Sequence, residues 1–585
     1  MKNRTVPLFP TSSPDPLDRW ILWALGALAL AVYAPALGAG FLFDDHHLVV
    51  ENAYLHDPRL LWRFFVQPLS STEVSSGMYR PLTMATYVAN YALHRLQPFG
   101  YHLLNLLLHV VNGTLVYRLL RLMLPSVAAA SAAVVAALFV IHPAHVNAVA
   151  YVAARSTLLA TTGVLVSLWA YRRSALPAQH GRAWYLLAVA AFIGALGAKE
   201  IGIVTPALIV LADLTVWSSS TDQRELVRST WRRWLPLLLV GAAYLWWRHL
   251  LTGAIGPTEP VRPGWFNLGA SCLAVWHYLW FLVAPDGLCL ARVVTAPTRA
   301  ADPAALAAMA GYAGLLLLVV WWLRRQPVAA CALGWFLIAL FPSHPMGSLF
   351  LTAADHHVYL PSLGLCIAVA VFLDAGWRRW RRRMVWLLAV LLTGYGAVTW
   401  HRSVCWGDEV CVWASTVRHA PHSIFAWNNL GQAYEARGRL DDAERALLTA
   451  LRLGGNDRGA IIGNLGHLFA ARGLHATALP LWHLAVTYSP RTPLLLNGWA
   501  LSLSRLGRHD EAAAIYQRAI DANPAIVEAY NNWGVDLALQ GRLQEAIVVF
   551  RRGLPWDDGR THLRRNLAQA LAAAGAPSAA QDARP

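Results

Sequence analysis

The chain has 585 residues, of which 57% are hydrophobic and 14% are charged. This charged fraction lies well below the roughly 25% that is typical of soluble domains, which excludes a wholly soluble globular protein. The formal net charge of +16 comes mainly from arginines, many of which flank apolar runs. The positive-inside rule explains these arginines, so we predict no nucleic-acid partner.

The order of apolar runs predicts an all-α chain with a polytopic membrane domain at its start. Runs long enough to cross a bilayer recur as far as residue 400 and then stop. Charge bias predicts about 11 crossings, with the N-terminus in the cytoplasm and the C-terminus outside. We interpret the stretch 269–284, which is short and rich in aromatic residues, as an interfacial or re-entrant helix.

Two adjacent carboxylates, Asp44 and Asp45, follow the first predicted crossing, residues 20–37, in the segment GFLFDDHH. A carboxylate pair at the mouth of a bilayer costs desolvation free energy, so it usually has a function. We interpret the pair as a general base and a second charged group that positions a substrate or a metal. The alternative is a helix cap followed by a solvated loop.

Arg80 lies in the segment MYRPLT of the long outer loop, residues 41–100. Because a proline follows it, the backbone at Arg80 is predicted to be extended, with a helix over residues 82–96. The planar guanidinium fork binds phosphate well at a membrane interface. The alternative is an arginine that only snorkels to lipid head groups.

Polar side chains share one face of the predicted crossing 101–124, because a helix turns by about 100° per residue. They are His102, Asn105, His109 and Asn112. We interpret His102 and Asn105, which are nearest the outer surface, as site residues. Hydrogen bonding between helices is the interpretation for Asn112.

His142 and His145 occupy the next outer turn, where Pro143 interrupts the helix. Imidazole and carboxylate groups are common metal ligands, so these histidines and Asp45 could together hold a divalent cation. The alternative is a capped helix turn without any metal. No other cofactor is predicted.

Two further outer segments contribute charged groups. Lys2 and Lys199 are the only lysines in the chain, and the compact ammonium of Lys199 suits a phosphate oxygen. The alternative for Lys199 is an ion pair with Glu200 or with an acidic loop residue. The last outer loop adds Asp355 and His356. The convergence of carboxylates, imidazoles and cations on one face favours a functional site.

Small residues recur about every 34 positions after residue 400, at Gly431, Gly466, Ala500, Gly534 and Ala568. A repeat of 34 residues with this pattern is the tetratricopeptide signature and predicts an α-solenoid with a groove for a peptide or protein. Cys405 and Cys411 could form a disulfide in an oxidising compartment. The predicted parts of the chain are the membrane domain 1–402, a linker or first soluble helix 403–423, about four repeats and a capping helix over 424–575, and a disordered tail 576–585.

The order of motifs resembles the transmembrane and tetratricopeptide-repeat O-mannosyltransferase family, a branch of the C-type (GT-C) glycosyltransferases. The motifs are FDDHH, MYRPLT, FGYHLLNLLLH, IHPAHVNAVAYVAARSTLLA, KEIGI and DHHVYLPSLG, followed by the repeats. The resemblance implies a sugar donor linked to a polyprenyl phosphate, an inverting transfer and a protein hydroxyl acceptor on the outer side. It implies that Asp44 is the general base.

The other site residues follow from combining this resemblance with their chemistry. Arg80 and Lys199 stabilise the departing phosphate, His102 or His356 assists them, and Asp45 positions the partners of Asp44 or a divalent cation. We expect the remaining outer residues to line the site. These are Asn105, His142, His145, Glu200 and Asp355.

The sequence departs from the family pattern at two places. The family usually has an acidic residue where Thr157 stands, and it usually has Glu-Arg where Asp355 and His356 stand. The second change weakens phosphate contact at this position, because histidine is mostly neutral at pH 7.

Composition and topology also give expectations for location and for competing functions. We expect a multi-pass protein of a bacterial inner membrane, with its repeats in the periplasm. One alternative function is a non-catalytic scaffold whose repeats assemble an envelope complex. The other is a polymerase or transferase that modifies a lipid-linked glycan.

Overall fold

The computed structural model describes most of the chain. The described residues are 16–67, 78–176, 180–217, 223–252, 264–287, 289–290, 292–293, 302–343, 352–454, 458–557 and 561–575. The predicted tail 576–585 lies outside them. The chain divides into two compact units, Met1–His419 and Ala420–Pro585.

The first unit is built from sixteen described α-helices, which range from 4 to 44 residues in length. They are α1 Pro16–Tyr33, α2 Ala53–His56, α3 Arg63–Val66, α4 Pro81–His94, α5 Pro98–Met123, α6 Ala129–Ile141, α7 Val146–Ala150, α8 Arg155–Ser174, α9 Gly181–Ala198, α10 Thr205–Ala212, α11 Gln223–Thr252, α12 Gly264–Val283, α13 Pro303–Arg325, α14 Pro327–Leu340, α15 Ser362–Cys405 and α16 Glu409–His419. Two short strands, β1 Arg292–Val293 and β2 Thr352–Ala353, pair in antiparallel fashion.

Several of these helices are long and apolar enough to cross a membrane. Seven helices in the described part of the chain meet this test by length and composition, or eight if the bent pair α6 and α7 forms one span. The first unit is therefore a multi-pass membrane domain, and the count of about 11 crossings stays a prediction. The helix that the sequence predicts over residues 82–96 is observed as α4, which starts one residue earlier, at Pro81.

Helix α15 consists of two helical segments joined at a kink within the arginine-rich run that follows Gly376. Trp380 has non-helical dihedral angles, with φ −136° and ψ 47°. A Cβ built on Gly376 would lie 2.7 Å from Sδ of Met384. In a straight helix, residues eight apart are separated by about 12 Å along the axis, so the chain must turn back here. The bend lies between two apolar segments of α15, one before and one after the arginines.

Helix α12 covers the stretch that was predicted to be interfacial. One face packs into an apolar core through Ala274, Tyr278 and Phe281, whereas Trp276 and Trp280 are exposed. Amphipathic aromatic rings of this kind suit a membrane interface. Whether α12 crosses the bilayer stays a prediction.

The second unit is a series of helix pairs. The helices are α17 Ile424–Ala436, α18 Leu440–Leu453, α19 Arg458–Ala471, α20 His475–Tyr488, α21 Pro493–Arg505, α22 His509–Ala522, α23 Val527–Leu539, α24 Leu543–Gly553 and α25 Leu563–Ala573. A Cβ on Gly534 would lie 2.5 Å from the ring of Phe550, so a small residue is needed for the paired helices to approach. Gly507 and Gly541, with φ of 75° and 78°, follow the first helices of their repeats. The predicted α-solenoid is confirmed.

Candidate active site

Asp45 fixes the loop that follows α1. It is 1% exposed, and its Oδ2 accepts the backbone N–H of Leu42 at 3.1 Å while its Oδ1 accepts that of Ala153 at 2.7 Å. The loop is thereby attached to the tight turn Val152–Ala154 that precedes α8. Because both carboxylate oxygens are already engaged, Asp45 is a positioning residue in this geometry.

Asp44 is less buried than its neighbour and faces Tyr151. Its backbone N–H donates to the Tyr151 hydroxyl at 3.1 Å, and its carboxylate also accepts a hydrogen bond from that side chain. Burial raises the pKa of Asp44, and the hydrogen bond from Tyr151 and the charges of His47 and Arg80 limit the rise. A carboxylate with a raised pKa is a better proton acceptor than an ordinary surface aspartate.

The two carboxylates differ in their electrostatic environment as well as in their hydrogen bonds. Burial, reinforced by the nearby charge of Asp44, raises the pKa of Asp45 to about 8, although backbone N–H groups oppose the rise. Two neighbouring carboxyl groups in different environments can divide acid and base roles between them. The less buried Asp44 is therefore the candidate base.

Arg80, Glu200, Lys199 and Thr157 form a polar cluster. Arg80 holds Glu200 through Nε–Oε2 at 3.3 Å and Nη2–Oε1 at 2.9 Å. The Nζ of Lys199 donates to Oγ1 of Thr157 at 2.9 Å. Burial lowers the pKa of Lys199 to about 7, with repulsion from Arg80 in the same direction and attraction to Glu200 opposing it. The cluster contains two cationic groups and a single carboxylate.

A small pocket lies beside Arg80. Arg80, Tyr87, Ala153 and Ser156 are among its lining residues. Ala153 is the residue whose N–H binds Asp45, and Arg80 is close enough to Asp44 to affect its pKa. The guanidinium of Arg80 and the carboxylate of Asp44 are therefore electrostatically coupled in the first unit.

His356 differs from the other predicted histidines in having an unsatisfied ring nitrogen. Its Nδ1 is buried without a hydrogen-bond partner among the described residues. Burial lowers the pKa of His356, and the charges of Lys199 and Arg80 lower it further. A neutral imidazole can still donate one N–H, so the His356 ring has unused capacity for a ligand. His102 is buried in α5 with its ring next to the backbone of Ala39, Gly40 and Ala150.

Asn105 supports the turn that carries Tyr151. Its Nδ2 donates to the carbonyl oxygens of Val149 and Tyr151 at 3.2 and 3.0 Å. Its Oδ1 accepts from Nε of Arg155 at 2.9 Å. These contacts leave Asn105 as a structural group rather than one that faces a substrate.

The structure does not assemble the predicted metal site. The ring nitrogens of His142 bond to Leu282 and Ala144, and those of His145 bond to Phe139 and Ser362. Among the described residues, no three His, Cys, Asp or Glu side chains form a group that could hold a metal ion. The prediction that Asp45, His142 and His145 share a cation is therefore wrong, because the two rings serve helix packing.

The other predicted lining residues also have structural partners. Oδ2 of Asp355 accepts the backbone N–H of Cys289 at 3.2 Å and stabilises the loop there. Glu200 is engaged by Arg80. For Asn112, the structure shows the hydrogen bond between helices that was expected, from its Nδ2 to the carbonyl oxygen of Leu158 at 3.1 Å.

Sequence reasoning missed the aromatic residues that hold the Asp44 loop. The rings of Tyr151 and Trp406 are 5.5 Å apart, and those of Phe43 and Trp413 are 5.6 Å apart. Phe43 has a φ of 47°, which is uncommon for a bulky residue and needs support from its surroundings. The only signal in the sequence was the pair of tryptophans beside the two cysteines.

A disulfide joins Cys405 and Cys411 across the turn between α15 and α16. Trp406 directly follows the first cysteine, and Trp413 lies two residues after the second. Both tryptophans are buried, at 0% and 1% exposure. The disulfide therefore constrains the corner that packs against the Asp44 loop, and the structure contains the pairing that was predicted.

Comparison with protein families identifies the repeats. One tetratricopeptide-repeat family model matches residues 424–457 and another matches residues 497–560. The second unit thus contains tetratricopeptide repeats, as predicted from the spacing of small residues.

Comparison with curated proteins gives relatives that extend across both units. Protein O-mannosyl-transferase TMTC3 of Homo sapiens is 27% identical over 489 residues, which are 75% of this chain and 52% of that protein. Tmtc3 of Drosophila melanogaster is 27% identical over 519 residues, covering 75% and 56%. The chain thus spans about half the length of these curated relatives. Their names match the family that the motifs resemble, so the predicted resemblance is confirmed.

The similar solved structures cover a third of this chain or less. YrrB, described as a TPR protein with an unusual peptide-binding site, is 19% identical and has a TM-score of 0.24, covering 32% of this chain and 89% of that one. MamA from Desulfovibrio magneticus RS-1 is 18% identical with a TM-score of 0.25, covering 27% and 90%. TM-scores at this level support no conclusion.

Proposed function

We propose that this protein is a membrane glycosyltransferase of the GT-C class that transfers mannose or a similar hexose to a protein hydroxyl. The donor is a sugar linked to a polyprenyl phosphate, and the transfer inverts the anomeric centre. The observation that supports this proposal most is the placement of Asp44, which is partly buried beside Tyr151 and within electrostatic reach of Arg80.

In this mechanism Asp44 accepts the proton of the acceptor hydroxyl as the hydroxyl oxygen attacks the anomeric carbon. The bond from that carbon to the donor phosphate breaks, and its electron pair leaves with the phosphate. The hydrogen bonds from Leu42 and Ala153 to Asp45 keep the loop in position. A phosphate leaves readily, so no strong protein acid is needed at the leaving group.

The departing phosphate gains negative charge, which Arg80 and Lys199 stabilise in this proposal. The bidentate contact with Glu200 holds the Arg80 fork before the donor arrives. His356 supplies a further N–H donor in this proposal, because its Nδ1 has no partner among the described residues, and His102 is the other candidate for this role. The apolar surface between helices accommodates the polyprenyl chain.

The disulfide supports an assignment of sides. Disulfides persist mainly in oxidising compartments, and the Cys405–Cys411 corner packs next to the Asp44 loop. We therefore propose that Asp44 faces the non-cytoplasmic side, with the N-terminus in the cytoplasm. For a bacterial inner membrane this side is the periplasm. The tetratricopeptide repeats bind the acceptor polypeptide in this scheme.

The test is a comparison of glycoproteins in cells with and without the chain, by mass spectrometry of the non-cytoplasmic fraction. Peptides that carry a hexose on serine or threonine should disappear when the chain is deleted and return with the wild-type gene. A scaffold predicts an unchanged set of glycopeptides. A glycan polymerase predicts altered lipid-linked glycans with unchanged protein hexosylation.

A further inference from the structure

A cleft of about 550 Å³ lies between the end of α15, helix α16 and the loop 285–287. None of the residues that line it borders the pocket beside Arg80. Each wall is one face of a helix. On α15, Ala397, His401 and Cys405 are spaced four residues apart and therefore lie on the same face. Cys411 and Ser415 have the same spacing on α16. The disulfide closes the corner where the two helices meet.

The rim of this cleft is basic. It carries His401, Arg402, Arg418 and His419, and the one nearby carboxylate in the loop 285–287 is the exposed Asp286. Arg402 is 4% exposed and donates to the carbonyl oxygens of Pro143 and Pro285, each at 3.0 Å. These bonds fix one positive charge in the wall, while the exposed Arg418 can move toward a ligand.

The floor of the cleft is apolar and leads to an apolar surface. Ala397, Val398 and Ala414 line it. Nearby, the Tyr395 hydroxyl donates to the carbonyl oxygen of Val283 at 3.3 Å, which brings the end of α12 beside α15. Val283 is 64% exposed. An apolar surface therefore continues from the basic rim along helices whose composition suits a bilayer.

We propose that this cleft binds a phosphate group carried on an apolar tail, that is, an anionic lipid at the membrane surface. The exposed guanidinium of Arg418 complements a phosphate, because guanidinium groups bind phosphate oxygens through paired N–H donors, and His401 and His419 border the same rim. Arg402 contributes only its charge, since its N–H groups bind the carbonyl oxygens of Pro143, Pro285 and Gly287. The apolar floor and the exposed end of α12 complement an acyl chain. A free phosphate would use the rim but leave the apolar floor in contact with water.

The experiment measures lipid binding to the purified full-length protein in detergent by native mass spectrometry. The probes are dioleoyl phosphatidic acid, dioleoylglycerol with the same tails but no phosphate, and inorganic phosphate. We expect phosphatidic acid to bind at least about tenfold more tightly than either other probe. Arg418→Gln should weaken phosphatidic acid binding by about tenfold, since it removes a charged hydrogen-bond donor at an exposed position.

Arg565→Gln is the matched control, because Arg565 is also exposed but belongs to the second unit. It should leave binding unchanged. Equal binding of dioleoylglycerol would overturn the phosphate part of the proposal, and equal binding of inorganic phosphate would overturn the lipid part. If Arg418→Gln and the double variant His401→Gln/Arg418→Gln both bind like the control, the cleft is not the site. No outcome depends on sugar transfer.

Discussion

Two arginine–glutamate pairs, one from each unit, differ in their surroundings. Arg80 and Glu200 make a bidentate contact across 120 positions of sequence, with side chains 19% and 31% exposed. Arg542 and Glu545 make a similar contact three positions apart, with side chains 43% and 58% exposed. The Arg80–Glu200 pair is therefore long-range and mostly buried, whereas the Arg542–Glu545 pair is local and solvated.

The two pairs differ in the desolvation free energy that their charges cost. An exposed pair on one helix gains little, because water already solvates both groups. A mostly buried pair must repay desolvation through good geometry, and the loss of one partner leaves the other group poorly solvated. The polar groups around Arg80 therefore carry a desolvation cost, and costly polar groups of this kind in a membrane domain often serve binding or chemistry.

The largest effect on activity is expected for Asp44→Asn, which changes the buried polar region of the membrane unit. The amide keeps the size of the side chain but cannot accept a proton, so sugar transfer should fall by about 10²- to 10⁴-fold. The measurement is the initial rate of transfer from polyprenyl-phosphate mannose to an acceptor peptide by the purified protein. Asp57→Asn, in the same outer loop, should retain the wild-type rate. An Asp44→Asn variant as active as wild type would remove Asp44 as the base.

The second test compares the two arginine pairs directly. Arg80→Gln should lower the transfer rate by about 10²-fold, because it removes a preorganised donor from the departing phosphate. Arg542→Gln should alter neither the transfer rate nor the melting temperature. Both are read in the same transfer assay, with thermal unfolding followed in detergent. Equal activity of the two variants would show that the buried pair has only a structural role.

Sequence reasoning predicted the local features of both regions and missed the long-range ones. The repeats were predictable because their small residues recur at a fixed spacing that packing requires. The candidate base was predictable because carboxylates are rare beside a membrane helix. The contact between Asp44 and Tyr151 spans 107 positions, so no local pattern could reveal it. His142 and His145 were misassigned because ring hydrogen bonds to backbone carbonyls leave no trace in spacing.

A third test addresses the corner that holds the Asp44 loop. Replacing both cysteines, Cys405→Ser with Cys411→Ser, should lower kcat by about tenfold, because Trp406 and Trp413 would position the loop less accurately. KM for the acceptor should change little. Reduction of the wild-type protein should have the same effect and should not affect the double variant. A change in KM alone would point to the acceptor site instead.

The smallest expected effect concerns how the transfer activity depends on pH through the protonation of Lys199. Its pKa is lowered to about 7, mainly by burial, so its positive charge is lost as the pH rises through that value. If this charge holds phosphate, kcat/KM should fall on the alkaline side of about pH 7.

Lys199→Arg keeps the charge throughout this range, because the guanidinium pKa is above about 12. The alkaline fall should therefore disappear in this variant, while the rate near neutral pH changes by only about threefold, since the shape of the cation differs. Lys199→Met serves as the control without charge and should be slow at every pH. An alkaline fall that persists in Lys199→Arg would assign it to another group and leave Arg80 as the main cation for the phosphate.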